Sequence, residues 1–203
     1  MTATLFSEDQ RDALQELTNI GMGQAGASVA AVLGEFVQLS VPRILVLKPT
    51  LIPAALERIV GPEPVTAVRQ GFHGDLRGEA VVVYGAAHCR ELADLMGYDD
   101  ALDEATEREL LLDVSNVLVG ACLGGLAEQI DAEMGFSAPS LMATGAEVGS
   151  LLDVERMDSP CALFVEVNFS LEKRSFACHL VMLLPEDQIL VLRDAIDRFL
   201  ASL

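Results

Sequence analysis

Two stretches of this 203-residue chain, 97 positions apart, carry the same polar pattern. The first holds Asp12, Glu16, Asn19 and Pro42; the second holds Glu109, Asp113, Asn116 and Pro139. Each has an acid, a second acid four residues later, an Asn three after that, and a Pro 23 beyond the Asn. The same offset aligns Val68 with Val165, Phe72 with Phe169, Arg77 with Arg174 and Ala80 with Ala177, with no gap across the central strands. This pattern predicts one α-β-α-β-β-α unit used twice. The expected fold is α+β: a single domain of two repeats (about 5–97 and 104–200). They share a continuous, largely antiparallel pseudo-twofold sheet flanked by two long helices.

Local signals place the elements. Ser7 and Gln10 form a capping box, and the helical period then runs to Gly34, a C-cap. Residues 36–48 read as extended, disrupted or edged by Pro42. A short helix over 51–60, strands over 65–72 and 78–84, and a helix over 87–96 complete the first unit. In the second, a Thr106–Glu109 capping box opens a helix expected over 106–134. Extended 137–143, a short helix over 147–155, strands over 162–169 and 174–184, and a helix over 186–200 follow.

Composition removes several classes of function. The chain is 51% hydrophobic and 22% charged, which is globular, and its net charge of −18 opposes binding to nucleic acid or anionic membrane. Cys89, Cys122, Cys161 and Cys178 stand singly, and His73, His88 and His179 are scattered. Neither a zinc site nor a disulfide framework is expected, and the cysteines suit a reducing cytosol. The N-terminus lacks the basic start and apolar core of a signal peptide. His73 and His88 read as surface residues and His179 as a buried one.

Two features mislead. Residues 17–34 carry no charge, long enough for a membrane span, but include Thr18, Asn19, Gln24, Ser28 and four glycines; a buried core helix fits better. Gly21, Gly23 and Gly26 match GxGxxG, but a dinucleotide site needs that motif just after a strand. Inside a helix, such small residues instead allow another backbone to approach.

Spacings of i, i+4 and i+7 put Asp12, Glu16 and Asn19 on one helical face, and Glu109, Asp113 and Asn116 on another. A single helix with such a face is most simply a solvated one. Retention of the Asn at the same register in two otherwise diverged halves points to a site. A carboxylate can pair with a partner's Lys, and an Asn amide can donate and accept together, so holding a water in a fixed direction. Neither is a good nucleophile, and the pattern contains no His or Cys to activate one. Positioning water against an already electrophilic centre is the chemistry left, and phosphoryl transfer suits it.

The pattern Asp/Ser-x3-Glu-x2-Asn-x22-Pro, with NIGMGQA from Asn19 onward, resembles the CheC/CheX/FliY family of chemotaxis phosphatases, and the two-site CheC type across essentially the whole chain. The resemblance implies hydrolysis of the aspartyl phosphate of a CheY-type response regulator. Asn19 would orient the attacking water and Glu16 would engage the regulator's active-site Lys. The regulator would supply Mg²⁺, no cofactor being bound by this chain, and Pro42 would shape the adjoining strand. Asp12 completes the pattern in the first copy. In the second, Glu109 stands for Asp/Ser and Asp113 for Glu; a carboxylate shorter by one methylene reaches less far, so the first site is expected to be the stronger. The resemblance also implies CheD, a receptor deamidase, as a possible partner, with Asp153 on the 147–155 helix as candidate contact. A solvated acid is the plain alternative there. The expected protein is a cytoplasmic monomer. Its rival from another class is a non-catalytic adaptor for a regulator or CheD.

Overall fold

The computed structural model describes residues 5–85, 92, 103–153, 157, 159–172 and 176–202. The expected helix over 87–96, with His88 and Cys89, and the start of the strand at Arg174 lie outside the described residues.

Helix α1 (Glu8–Leu33) starts where the capping box is written. Ser7 Oγ accepts from the Gln10 amide at 3.1 Å, and Gln10 Oε1 accepts from the Ser7 amide at 2.8 Å. It ends at Gly34, which takes the left-handed conformation (φ 69°) that a C-cap needs. The extended stretch that follows is two strands, β1 (Val37–Leu39) and β2 (Arg43–Leu47), separated at Pro42. A 3₁₀ turn (Pro49–Leu51) leads into α2 (Ile52–Val60), then the hairpin of β3 (Val65–Gly74) and β4 (Gly78–Gly85).

The second half runs through α3 (Glu104–Gln129), β5 (Met134–Phe136) and β6 (Ser140–Ala146). A 3₁₀ turn (Val148–Ser150), β7 (Ala162–Leu171), β8 (Ala177–Pro185) and α4 (Glu186–Ala201) complete it. Three boundaries correct the sequence expectation. Asp103, rather than Thr106, caps α3: its Oδ1 accepts from the Thr106 amide at 2.8 Å, so the helix opens earlier. At the other end, Asp131 turns left-handed (φ 51°) and the Ala132 amide donates to the Ala127 carbonyl at 3.0 Å. That i to i−5 bond is a Schellman closure with Asp in the place Gly usually takes. Over its described part, 147–153, the expected helix 147–155 is not helical beyond a single turn. Among the described residues there is a 3₁₀ turn, with Ser150 Oγ donating to the Glu147 carbonyl at 2.8 Å, and Leu151–Asp153 are non-helical.

The eight strands form one sheet, antiparallel at every described pairing, in the order β1/β2–β7–β8–β4–β3–β5/β6. Parts of its rim registers interchange when numbers are shifted by 97. Val37 faces Leu171 as Met134 faces Gly74, and Arg43 faces Glu166 as Ser140 faces Arg69. At the centre, Val82 faces Leu180 and Val83 faces His179, a pair of pairs that exchange under the same shift. The two hairpins do not interchange: Val68 faces Val82, whereas Val165 faces Met182, three residues beyond the match at 179, so the gap-free alignment of Ala80 with Ala177 fails. Both rims are built alike, from two short strands parted by Pro42 or by Pro139.

Alternation along the strands builds two cores. Leu163, Val165, Val167 and Phe169 point with Val82 and Tyr84 to the face covered by α1, α3 and α4. Val65, Ala67, Val81, Val83 and Phe164 point to the opposite face, covered by Ile52 and Leu56 of α2 and by Val148 and Leu151. The long helices meet at Gly21 and Gly125. A Cβ on Gly21 would fall 2.7 Å from the Leu126 backbone N, and one on Gly125 would fall 2.6 Å from the Gly21 carbonyl O. Gly21 therefore serves helix packing, and so does Gly26, where a Cβ would strike the Leu39 side chain at 2.9 Å. By length and composition α3, with a mean hydropathy of 1.8, could cross a membrane, but 61% of that stretch is buried inside the fold.

Candidate functional site

The buried face of α1 holds Leu14, Leu17 and Thr18, so Asp12, Glu16 and Asn19 turn outward together. Among the described residues the side chains of these three make no hydrogen bond or ion pair. Thr18 Oγ1 satisfies itself on the Leu14 carbonyl at 2.6 Å. Gln15 Nε2 donates to the Pro42 carbonyl at 3.0 Å, which ties the broken rim strand to the helix beside the acids. Pro42 is buried at that junction.

Glu109, Asp113 and Asn116 are exposed together on α3, while Pro139 is half-buried at the opposite rim. Here the helix is held differently. Ser115, the residue matching Thr18, shares a 2.8 Å hydrogen bond with the Tyr84 hydroxyl on β4, both fully buried. Asn116 Oδ1 accepts from Gln70 Nε2 on β3 at 2.8 Å, and that same nitrogen donates to the Ser137 carbonyl at 2.9 Å. The two rims share one serine clamp. Ser137 Oγ accepts from the Gly71 amide at 2.9 Å and its amide donates to the Gly71 carbonyl at 2.9 Å. Ser40 does the same with Asn168, each bond at 3.0 Å.

Each set is therefore gathered on its own helix, next to its own proline, on the same side of the sheet. Asn19 stands two residues from the glycine crossing and Asn116 nine residues from it, on the order of 14 Å along α3. The sets make two places, not one. Each presents a carboxylate and a carboxamide to solvent, suited to grip a cation on a partner and to orient a small polar molecule. Cys122 and Cys178 are buried, which pushes their thiols up, and burial also raises Cys161; none is poised as a thiolate nucleophile. Among the described residues no group of three His, Cys, Asp or Glu could hold a metal ion.

A second polar cluster, on the opposite face of the sheet, has no forerunner in the sequence analysis beyond His179. Glu166 is only 1% exposed on β7, with Oε1 2.7 Å from His179 Nδ1 and Oε2 3.7 Å from Arg43 Nε. Asn168 Nδ2 lies 3.3 Å from His179 Nε2. An acid amid the apolar run ALFVEV was the signal that could have found it. With no hydroxyl or thiol bonded to its side chains among the described residues, it ties β2, β7 and β8 together. His73, as expected, is exposed. Asp153 lies in an irregular segment, where it lines a cavity of about 530 Å³ with Arg69, Arg77 and Glu79.

No family model matches the chain. Its fold is nonetheless that of the CheC/CheX/FliY chemotaxis proteins. Thermotoga maritima FliY superposes with a TM-score of 0.71 at 18% identity, covering 96% of this chain and 98% of that one. The chemotaxis protein CheX from Desulfovibrio desulfuricans gives 0.57 at 16% identity, over 83% and 99%. FliM of H. pylori, solved in a FliG–FliM complex, gives 0.63 at 11% identity, over 93% and 100%.

Proposed function

We propose that this chain is a cytoplasmic phosphatase that accelerates hydrolysis of the aspartyl phosphate of a CheY-type response regulator. The observation that carries this is the paired display of Glu16 with Asn19 and of Asp113 with Asn116, outward on helices that share one side of the sheet. In each pair the carboxylate docks the regulator's active-site Lys and the Asn orients water in line with phosphorus. Aspartyl phosphates hydrolyse unaided, so the task left to the protein is orientation, worth up to several kcal/mol of barrier. Mg²⁺ belongs to the regulator. Asp12 and Glu109 extend the docking face by a helical turn each, and Pro42 and Pro139 set the rims beside them.

The test is phosphate release from purified phospho-regulator with wild type, Asn19→Ala, Asn116→Ala and the double variant. Wild type is expected to accelerate release and the double variant to return it to the unassisted rate. A wild type that speeds release from none of the cell's regulators ends the enzymatic proposal. The adaptor alternative draws on one comparison, the FliM neighbour whose structure was solved in complex with FliG. It predicts regulator or CheD binding that survives loss of both asparagines, without turnover, and Asp153→Ala asks whether CheD uses that segment.

A further inference from the structure

We infer that Gln70 is a positioning residue for Asn116. This rests on the phosphatase proposal, which it deepens by making the second site the pre-organised one. Gln70 lies on β3, is 1% exposed, and places Nε2 2.8 Å from Asn116 Oδ1 and 2.9 Å from the Ser137 carbonyl O. One amide thereby joins the exposed Asn of α3 to the Pro139 rim. With Oδ1 engaged, the Asn116 carboxamide is held in one orientation, its Nδ2 group left to face a ligand. Asn19 has no equivalent: the residue matching Gln70 at the 97-residue shift is Val167, fully buried and apolar. The serine clamp is common to both rims, so the difference lies in Gln70 itself.

Holding a glutamine there has a structural disadvantage. Its Oε1 is buried without a hydrogen-bond partner among the described residues, a cost that an apolar side chain such as the one at 167 would avoid. A residue that breaks a packing rule for two hydrogen bonds, one of them to an exposed Asn, points to a function for that Asn. The gain here is the orientation of Asn116. Ser115, one residue earlier and bonded to Tyr84, fixes the register of the same helical turn. Pre-organisation then offsets the shorter carboxylate of Asp113, so Asn116 bears a larger share of turnover than its departures from the motif imply.

The experiment places Gln70→Leu in an Asn19→Ala background, so that only the second site is read. Phosphate release is expected to lose kcat on the order of 10–100-fold with little change in KM, while the melting temperature holds or rises. Loss of melting temperature alongside activity would make Gln70 merely structural. In an Asn116→Ala background the same substitution has nothing left to orient and causes no further loss; a further loss of comparable size would overturn the inference. A readout independent of turnover is the side-chain NH₂ resonance pair of Asn116 in ¹⁵N-labelled protein. Gln70→Leu should average or shift it and leave that of Asn19 in place. An unchanged Asn116 signal sinks the positioning role even if the enzyme is active; a changed signal in an enzyme without phosphatase activity sinks only the reaction.

Discussion

Gly21 and Gly125 bring α1 and α3 into direct backbone contact, each occupying the space that the other's Cβ would need. Gly125→Ala must therefore part the two helices, at a cost of about 1–3 kcal/mol from overpacking. Its neighbour Gly124 has open space around a new Cβ. There Gly124→Ala gains the usual helical advantage of about 0.5–1 kcal/mol. Denaturant unfolding of the two variants should move in opposite directions. Equal shifts would place the crossing elsewhere.

Asp113→Glu restores to the second site the carboxylate length of the first. In the Asn19→Ala background it should raise phosphate release about tenfold, if reach to the regulator's Lys is what the shorter side chain lacks. Thermal stability should not change, because Asp113 is exposed and bonded to nothing among the described residues. A fall in rate would mean that the site is built around aspartate.

Asp103 makes the start of α3 sensitive to acid. Hydrogen bonds from the Thr106 backbone and side chain hold its carboxyl below the ordinary 3.8. A carboxyl depressed on folding stabilises the folded state above its unfolded value, and that stabilisation is lost as the pH falls through the folded value. Asp103→Asn keeps a capping oxygen and loses only the charge. Wild type should melt higher than this variant near pH 7, and the gap should close as the pH drops below 3.8. A gap that persists in acid would assign it to something other than the carboxylate.

Much of this was legible in the sequence, and the parts that were not share a cause. Ser7, Gln10 and Gly34 bounded α1 correctly because caps are local, whereas the 97-residue offset carries over at parts of the rims and fails by three residues between the two hairpins, since matched residue types do not state strand pairing. Asp131 ended α3 unannounced, since an Asp in the left-handed conformation looks in sequence like any helical Asp. The exposed faces carrying Glu16, Asn19, Asp113 and Asn116 followed from helical period alone. Gln70 did not, nor did Glu166 with His179. Each acts through residues on neighbouring elements, and no local pattern states which strand will lie beside which helix.

The prolines first noticed as the tail of a motif have a consequence at the scale of the solution. A sheet of eight strands ends in two rims of unpaired N–H and C=O groups, which invite another chain to continue it. Pro42 and Pro139 interrupt those rims after three residues each, between β1 and β2 and between β5 and β6. Neither rim offers a long, uninterrupted template. Whatever the two asparagines do for a partner, the residues beside them disfavour the strand-by-strand addition of further copies of this half-apolar chain.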